Sequence, residues 1–536
     1  MHYLSLVFAI LLSVSLFGGV DAYWLKLLHY KDGESQIDDS SFFLSADGKN
    51  SPRDELEATL QSIKNSNPND INSTQCLYPA RTRWLKERFP NESIEECKYL
   101  KEHLKKFDFK TLYLVYASSY MNSPASMVGH TFLRFDKNES IPLLSYALNY
   151  SAQIDDNITA FSYAYRGIFG GFKGRYSVAP YYEMVKLYSD MEHRDIWEYK
   201  LKLTSKEIER VVLHMIEMER YYSIYYFSSK NCSYNLLWFI DLAIENDLRL
   251  VDNFNYITAP IDTIKELNRY GLIEKSIFRP SQNSKADSLY KLIDNKKIAI
   301  EFLESGDISI LKRVPKQEQI DIINLYLKRG TSREILKYRS RLGVGKKREI
   351  KSPIDPINAD RASKLNIGLS RNRELLYGVR ASYHEIYDID YGFNEGAYIS
   401  FFNLQMRENR VESLGLIKID SLSPHRDLYK PYSWGIDFQL KRDLGLNLEG
   451  KIGKSYKIFD TLLFVEPSLS INYREGFDFT VGYHLGLIKQ IDRVKFGLLV
   501  RPNSMESFLT YPIAKSIALH LNISEDSSRF ELFHYF

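Results

Sequence analysis

The stretch Lys230-Asn231-Cys232-Ser233-Tyr234-Asn235-Leu236-Leu237 places a cysteine at the start of an apolar run that continues through Phe239, Ile240 and Ala243. That spacing predicts a helix over 232–248 with the thiol in its first turn. A cysteine there feels the positive end of the helix dipole and the unpaired first-turn amides, and both lower its pKa. The same amides can bind a developing oxyanion, which makes Asn231 and Ser233 candidates for that role. A second stretch, Ser126-Met127-Val128-Gly129-His130-Thr131-Phe132-Leu133-Arg134-Phe135, sets a histidine at the mouth of a strand just after a glycine. A histidine and a cysteine that meet in space are the minimum for a thiolate nucleophile with its general base. Ser126 joins the candidates for contact with substrate or oxyanion.

The strand from His130 turns at 136–140 and alternates again over 143–150. The register of such a hairpin brings Asn149 beside His130, as the polar residue that would fix the imidazole. Upstream, 112–116 reads as a short buried strand, and 205–220 as a helix. The run Gly167-Ile168-Phe169-Gly170-Gly171-Phe172-Lys173-Gly174 follows no phosphate-binding template and reads as a glycine-rich loop with exposed aromatics, a lid or membrane-facing segment.

The ends of the chain set the compartment. Residues 1–22 have a polar start, an apolar core and small residues before Tyr23, the pattern of a signal peptide. The chain has three cysteines; Cys76 and Cys97 are the close pair expected to form a disulfide in an exported protein, and Cys232 is left over. A leftover thiol is either buried and inert or reactive. The 71 basic and 68 acidic residues give a net charge of +3, which offers no basic face for nucleic acid. No metal-ligand cluster or cofactor motif is read, and no other run is long and apolar enough for a membrane helix.

From residue 362 the texture changes to segments of about ten residues with period-two alternation, separated by polar turns. Eleven such segments are read, at 364–371, 375–387, 397–406, 413–419, 433–440, 444–456, 462–473, 477–488, 494–501, 515–523 and 529–536, and a barrel of about 10–12 strands is expected. Aromatic residues sit near their ends, and the chain closes on Phe536 with Phe530 and Leu532 on the same face. The fold class is therefore α+β: a signal peptide over 1–22, a helical extension over 23–108, a cysteine catalytic domain over 109–281, a helical segment and linker over 282–360, and an antiparallel outer-membrane-type barrel over 361–536.

The two opening stretches, with Asn149-Tyr150-Ser151-Ala152 and Met191-Glu192-His193-Arg194-Asp195-Ile196-Trp197-Glu198-Tyr199, together resemble the periplasmic domain of the Lnb-type lipoprotein N-acyltransferase family. That domain is similar to the circularly permuted papain-like fold of NlpC-type and lecithin retinol acyltransferase-like enzymes, in which the histidine precedes the cysteine. The resemblance covers residues 110–275, and the segment around Cys76 and Cys97 looks like the family's N-terminal extension. It implies Cys232 as nucleophile, His130 as base and Asn149 as the orienting residue, with a phospholipid acyl donor, a lipoprotein amino terminus as acceptor and no cofactor. The barrel departs from the family's membrane-helix form. A cell-wall peptidase or amidase on the same Cys-His machinery, and a non-catalytic binding module hung from a barrel, are the alternatives.

Overall fold

In the computed structural model, Asp21 caps the first helix, its carboxylate accepting the Tyr23 amide at 2.8 Å. The structure describes residues 21–536 except 105–106, 120, 122–126, 156, 245, 329, 331, 443–444, 503 and 526; the signal-peptide reading thus lies almost wholly outside the described residues, and Ser126 outside them altogether. The chain forms two compact units, one of residues up to 115 with 131–184 and 199–276, the other of 116–130, 185–198 and 277–536.

In the first unit, helices α1 (Ala22–Leu27), α2 (Pro52–Asn65) and α3 (Pro79–Arg88) form the N-terminal extension. Cys76 and Cys97 are joined in a disulfide, as the sequence leads one to expect. Strands β1 (Thr111–Ala117), β2 (His130–Asp136), β3 (Tyr146–Ala152), β4 (Phe172–Pro180), β5 (Ile196–Leu201), β6 (Tyr222–Tyr225) and β7 (Ile273–Arg279) make one sheet in the order β6-β4-β3-β2-β1-β5-β7. Helix α4 (Ala160–Phe169) precedes β4, while α5 (Ser205–Met218) and α6 (Cys232–Ala243) follow β5 and β6. A capping box at Thr204 and Glu207 starts α5.

The extension is tied to α5 and α6 by buried polar contacts. Arg81 pairs with Glu55 at 2.6 Å with both side chains fully buried, and its amide donates to Glu217 at 2.9 Å. Glu217 in turn meets His214, whose Nε2 lies 2.9 Å from His29 Nε2, and the His29 ring stacks 4.7 Å over Trp238 of α6. Burial holds both imidazoles below their usual pKa, His29 well below, so the pair is neutral at pH 7. At the far end of α6 the Lys26 ammonium donates to the carbonyls of Asp241, Ile244 and Asn246 at 3.0, 3.2 and 2.8 Å. A cation on the last carbonyls of a helix satisfies orphan acceptors and opposes the dipole's negative end.

The segment 167–174 is not one loop. Gly170, at φ 84°, closes α4, and β4 begins two residues later. Gly167 and Gly174 are there for packing, since a Cβ at either would fall 2.2 Å from the Phe227 ring or the Tyr150 hydroxyl. Of the two aromatics in the segment, Phe169 stands exposed as read, whereas Phe172 is fully buried. Helix α6 ends at Ala243, five residues short of expectation, where the Asp241 carboxylate turns back to accept the Leu250 and Val251 amides.

In the second unit, helices occupy most of 282–341 and pack around Phe302, Leu311, Ile322 and Leu325. The strands β8 (Lys364–Ser370), β9 (Leu375–His384), β10 (Ala397–Arg407), β11 (Arg410–Ser421), β12 (Ser433–Lys441), β13 (Gly445–Ile458), β14 (Thr461–Tyr473), β15 (Phe477–Ile491), β16 (Val494–Arg501), β17 (Ser504–Ala514), β18 (Ile517–Ser524) and β19 (Ser528–Tyr535) follow. Neighbours pair antiparallel throughout, and β19 returns to β8 with Lys364↔Tyr535, closing a twelve-stranded barrel. The strand missed by the sequence reading is β17, whose alternation is broken by Pro512 and the bulge beside it.

Burial along β8 shows which way the barrel faces. Lys364 and Asn366 are 3% and 5% exposed, whereas Leu365 and Ile367 are 46% and 54% exposed. Charged groups point in and apolar ones out, the arrangement of a membrane barrel. Phe530, His534 and Phe536 lie on the exposed face of β19. Among the described residues no helix is long and apolar enough to cross a membrane, so any crossing is by strands. After His384 the chain leaves the sheet, and residues 385–396 fold into one end of the lumen. There Asp388 accepts from Lys364 at 2.9 Å and Tyr535 at 3.0 Å, Tyr387 donates to Glu506 at 2.8 Å, and Lys495 reaches Asp390 at 2.9 Å. These bonds pin the plug to β8, β16, β17 and β19.

Candidate active site

Helix α6 begins at Cys232 because Asn231 caps it. The Asn231 side-chain oxygen accepts the Ser233 and Tyr234 amides at 3.1 and 3.3 Å, and its Nδ2 donates to the Phe227 and Thr258 carbonyls at 3.1 and 2.7 Å. With all four contacts made and only 2% of the residue exposed, the cap fixes the entry of the chain into the helix. Cys232 is the free cysteine, and it is buried.

Three side chains surround the sulfur. Thr131 Oγ1 lies 3.9 Å from Sγ and donates to Ser233 Oγ at 3.1 Å. Ser233 Oγ is also 3.9 Å from Sγ. The Tyr225 hydroxyl accepts the Cys232 amide at 3.2 Å. Its own proton is held tightly, burial first and the neighbouring thiol second raising its pKa well above the usual range. Tyr225 stacks 5.6 Å from Tyr150, which is likewise buried and kept protonated.

Of the residues singled out from sequence, Cys232, Asn231 and Ser233 are brought together. His130 opens β2, one residue before Thr131, and its ring lies 5.4 Å from that of Tyr188. The β2–β3 ladder runs Leu133↔Leu148 to Phe135↔Tyr146; continued outward it sets Asn149 opposite Phe132, and on its other side Asn149 pairs with Ser177. The first-turn amides expected to be free are not: Cys232, Ser233 and Tyr234 all have partners.

Tyr225 and Thr131 are the residues that sequence reasoning passed over. Thr131 stands in the His130 stretch and carried no chemical flag of its own. Tyr225 is one of 39 tyrosines, and only the pairing of β6 with the sheet edge brings it to the thiol. Among the described residues no group of three or more His, Cys, Asp or Glu side chains is placed to hold a metal.

A thiol outside any disulfide on the first turn of a buried helix, beside a seven-stranded sheet and on one chain with a closed polar-lumened barrel, defines a fused thiol-domain and barrel protein. Residues 99–270 match the model of the Lnb N-terminal periplasmic domain, and the same chain goes on to form a barrel. Residues 20–88 and 353–507 match two domains of unknown function, DUF7843 and DUF7840. No curated protein matches the chain. The periplasmic domain and the barrel together fit an outer-membrane protein with a periplasmic domain.

Proposed function

We propose that the protein is a cysteine acyltransferase of the outer membrane, moving a fatty acyl group from phospholipid to the amino terminus of a lipoprotein. In this reading the Cys232 thiolate attacks the ester carbonyl of the donor while His130 accepts the thiol proton and Asn149 orients the imidazole. The tetrahedral oxyanion is met by the Cys232 amide and the Tyr225 hydroxyl, with Thr131 and Ser233 lining the sulfur. Collapse expels the lyso-lipid, whose alkoxide takes the proton from His130, and leaves a thioester; the acceptor amine then attacks it, with His130 taking the amine proton and returning it to the departing thiolate. The bounds 23–108, 109–281, 282–360 and 361–536 are the division that goes with it, behind a signal peptide over 1–22.

The observation that carries the reading is the free thiol at the N-terminus of α6 within a domain matching the Lnb periplasmic model. A barrel on the same chain would keep that thiol beside its lipid donor. The test is the acyl state of lipoprotein amino termini, by mass spectrometry, in cells expressing the wild type or Cys232→Ala. The reading expects N-acylated termini only with the wild type. Identical termini in both strains, or release of peptidoglycan peptides by the wild type in their place, would overturn it.

A further inference from the structure

The barrel lumen contains a cavity of about 730 Å³ that the thiol chemistry does not use. The plug of residues 385–396 lies at the end where the chain enters β8 and leaves β19. The other end carries short turns such as 371–374, 408–409 and 474–476. The lumen is thus a cup with its floor at the chain termini of the barrel.

Most charges on its wall are answered within the wall. Lys451 pairs with Asp420, His484 Nε2 meets Glu449 at 2.8 Å, and Arg501 meets Glu506 at 3.2 Å. Glu466 on β14 is different. It is 1% exposed, and its Oε1 has no hydrogen-bond partner among the described residues. On one side Gly453 of β13 packs so closely that a Cβ would lie 2.7 Å from Glu466 Cα, and on the other the facing residue of β15, His484, is taken by Glu449. Asn447 Oδ1 and Ser400 Oγ, on the same cavity wall, are also buried without a partner. All three atoms are oxygens able to accept, and a buried carboxylate left alone is costly. The wall's own basic groups nearby, Lys451, His484 and Arg501, are each paired with another carboxylate.

We propose that the lumen is a binding cup for a primary ammonium group, with the Glu466 carboxylate as its counter-ion. An ammonium has three donors and no acceptor, so one carboxylate and water satisfy it. A metal ion would need several ligands converging, and no such group exists among the described residues. Asp437, 8% exposed and on the same wall, adds negative potential and forms no ion pair there. The ammonium can belong to a free amine or to an ethanolamine lipid headgroup.

The full chain in nanodiscs of phosphatidylcholine and phosphatidylglycerol, titrated calorimetrically with butylamine, tests this. Saturable binding at least tenfold tighter than that of neutral butanol, unaffected by matched potassium chloride and weakened at least tenfold in Glu466→Gln, is the expected result. Repeating the titration with phosphatidylethanolamine in the nanodisc separates the sources: several-fold weaker butylamine binding identifies the headgroup as occupant, and unchanged binding a soluble amine. If Glu466→Gln does not fold, judged by its heat-dependent gel shift, Asp437→Asn takes its place. No saturable binding, equal binding of butanol, stronger competition from calcium than from butylamine, or an unaffected folded variant would each overturn the proposal.

Discussion

Replacing Asn231 by Ala removes the device that places the thiol. The side chain accepts two first-turn amides and donates to two carbonyls, at 2.7 to 3.3 Å, while 2% exposed. Loss of the cap costs about 1–2 kcal/mol. The Phe227 and Thr258 carbonyls, deprived of their donor, add about 1–3 kcal/mol each when buried. These terms overlap, so the expected loss is on the order of 4 kcal/mol. Cys232 is the free cysteine and is buried, so its alkylation along a urea series reports unfolding of its domain. With a slope of about 2 kcal/mol per molar urea, the midpoint falls by about 2 M. Asn231→Asp keeps the acceptor and loses both donors; its carboxylate, one residue before the thiol, disfavours the thiolate and slows alkylation at neutral pH. An Asn231→Ala midpoint within about 0.5 M of wild type would refute the reasoning, because four satisfied buried hydrogen bonds would then be worth almost nothing.

Three further outcomes follow from the same region. Tyr225→Phe removes the hydroxyl on the Cys232 amide and is expected to lower kcat for acyl transfer about 100-fold with KM little changed, a split read by steady-state kinetics. Lys26→Met leaves the three carbonyls at the end of α6 without their donor; the urea midpoint read at Cys232 falls, by about 3 kcal/mol in stability. Burial raises the Asp241 carboxyl to about 7. The folded chain therefore holds this proton where the unfolded chain, ionising near pH 4, has released it. Between about pH 4 and 7 stability falls as pH rises, by up to roughly 4 kcal/mol, and Asp241→Asn flattens that slope in midpoints measured at pH 5 and 8.

The barrel was legible because its physics is local. On β8, exposed Leu365 and Ile367 alternate with inward Lys364 and Asn366. The exception proves the mechanism: Pro512 interrupts the alternation, and β17 escaped. The plug also escaped, because Glu385, Ile386 and Tyr387 continue the pattern of β9 while Asp388 draws the chain inward to Lys364 and Arg380. In the thiol domain the helix start was legible from the apolar run after Cys232, and the disulfide from cysteine count and spacing. Gly167 and Gly174 misled, since a glycine that admits a neighbouring ring looks in sequence like one that bends a loop. Tyr225 was invisible for a different reason: its role arises from the pairing of β6 with β4, where Tyr225 faces Phe172, and no local signal encodes that.

The match of residues 99–270 is a likeness to the Lnb periplasmic domain and leaves the reaction to experiment. The most direct measurement is intact-mass analysis of the full chain after incubation with phospholipid of defined acyl length and no acceptor. The account predicts a single added acyl group on the wild type, removable by hydroxylamine and absent from Cys232→Ala. An unmodified wild type under those conditions, or the same adduct on Cys232→Ala, would contradict it.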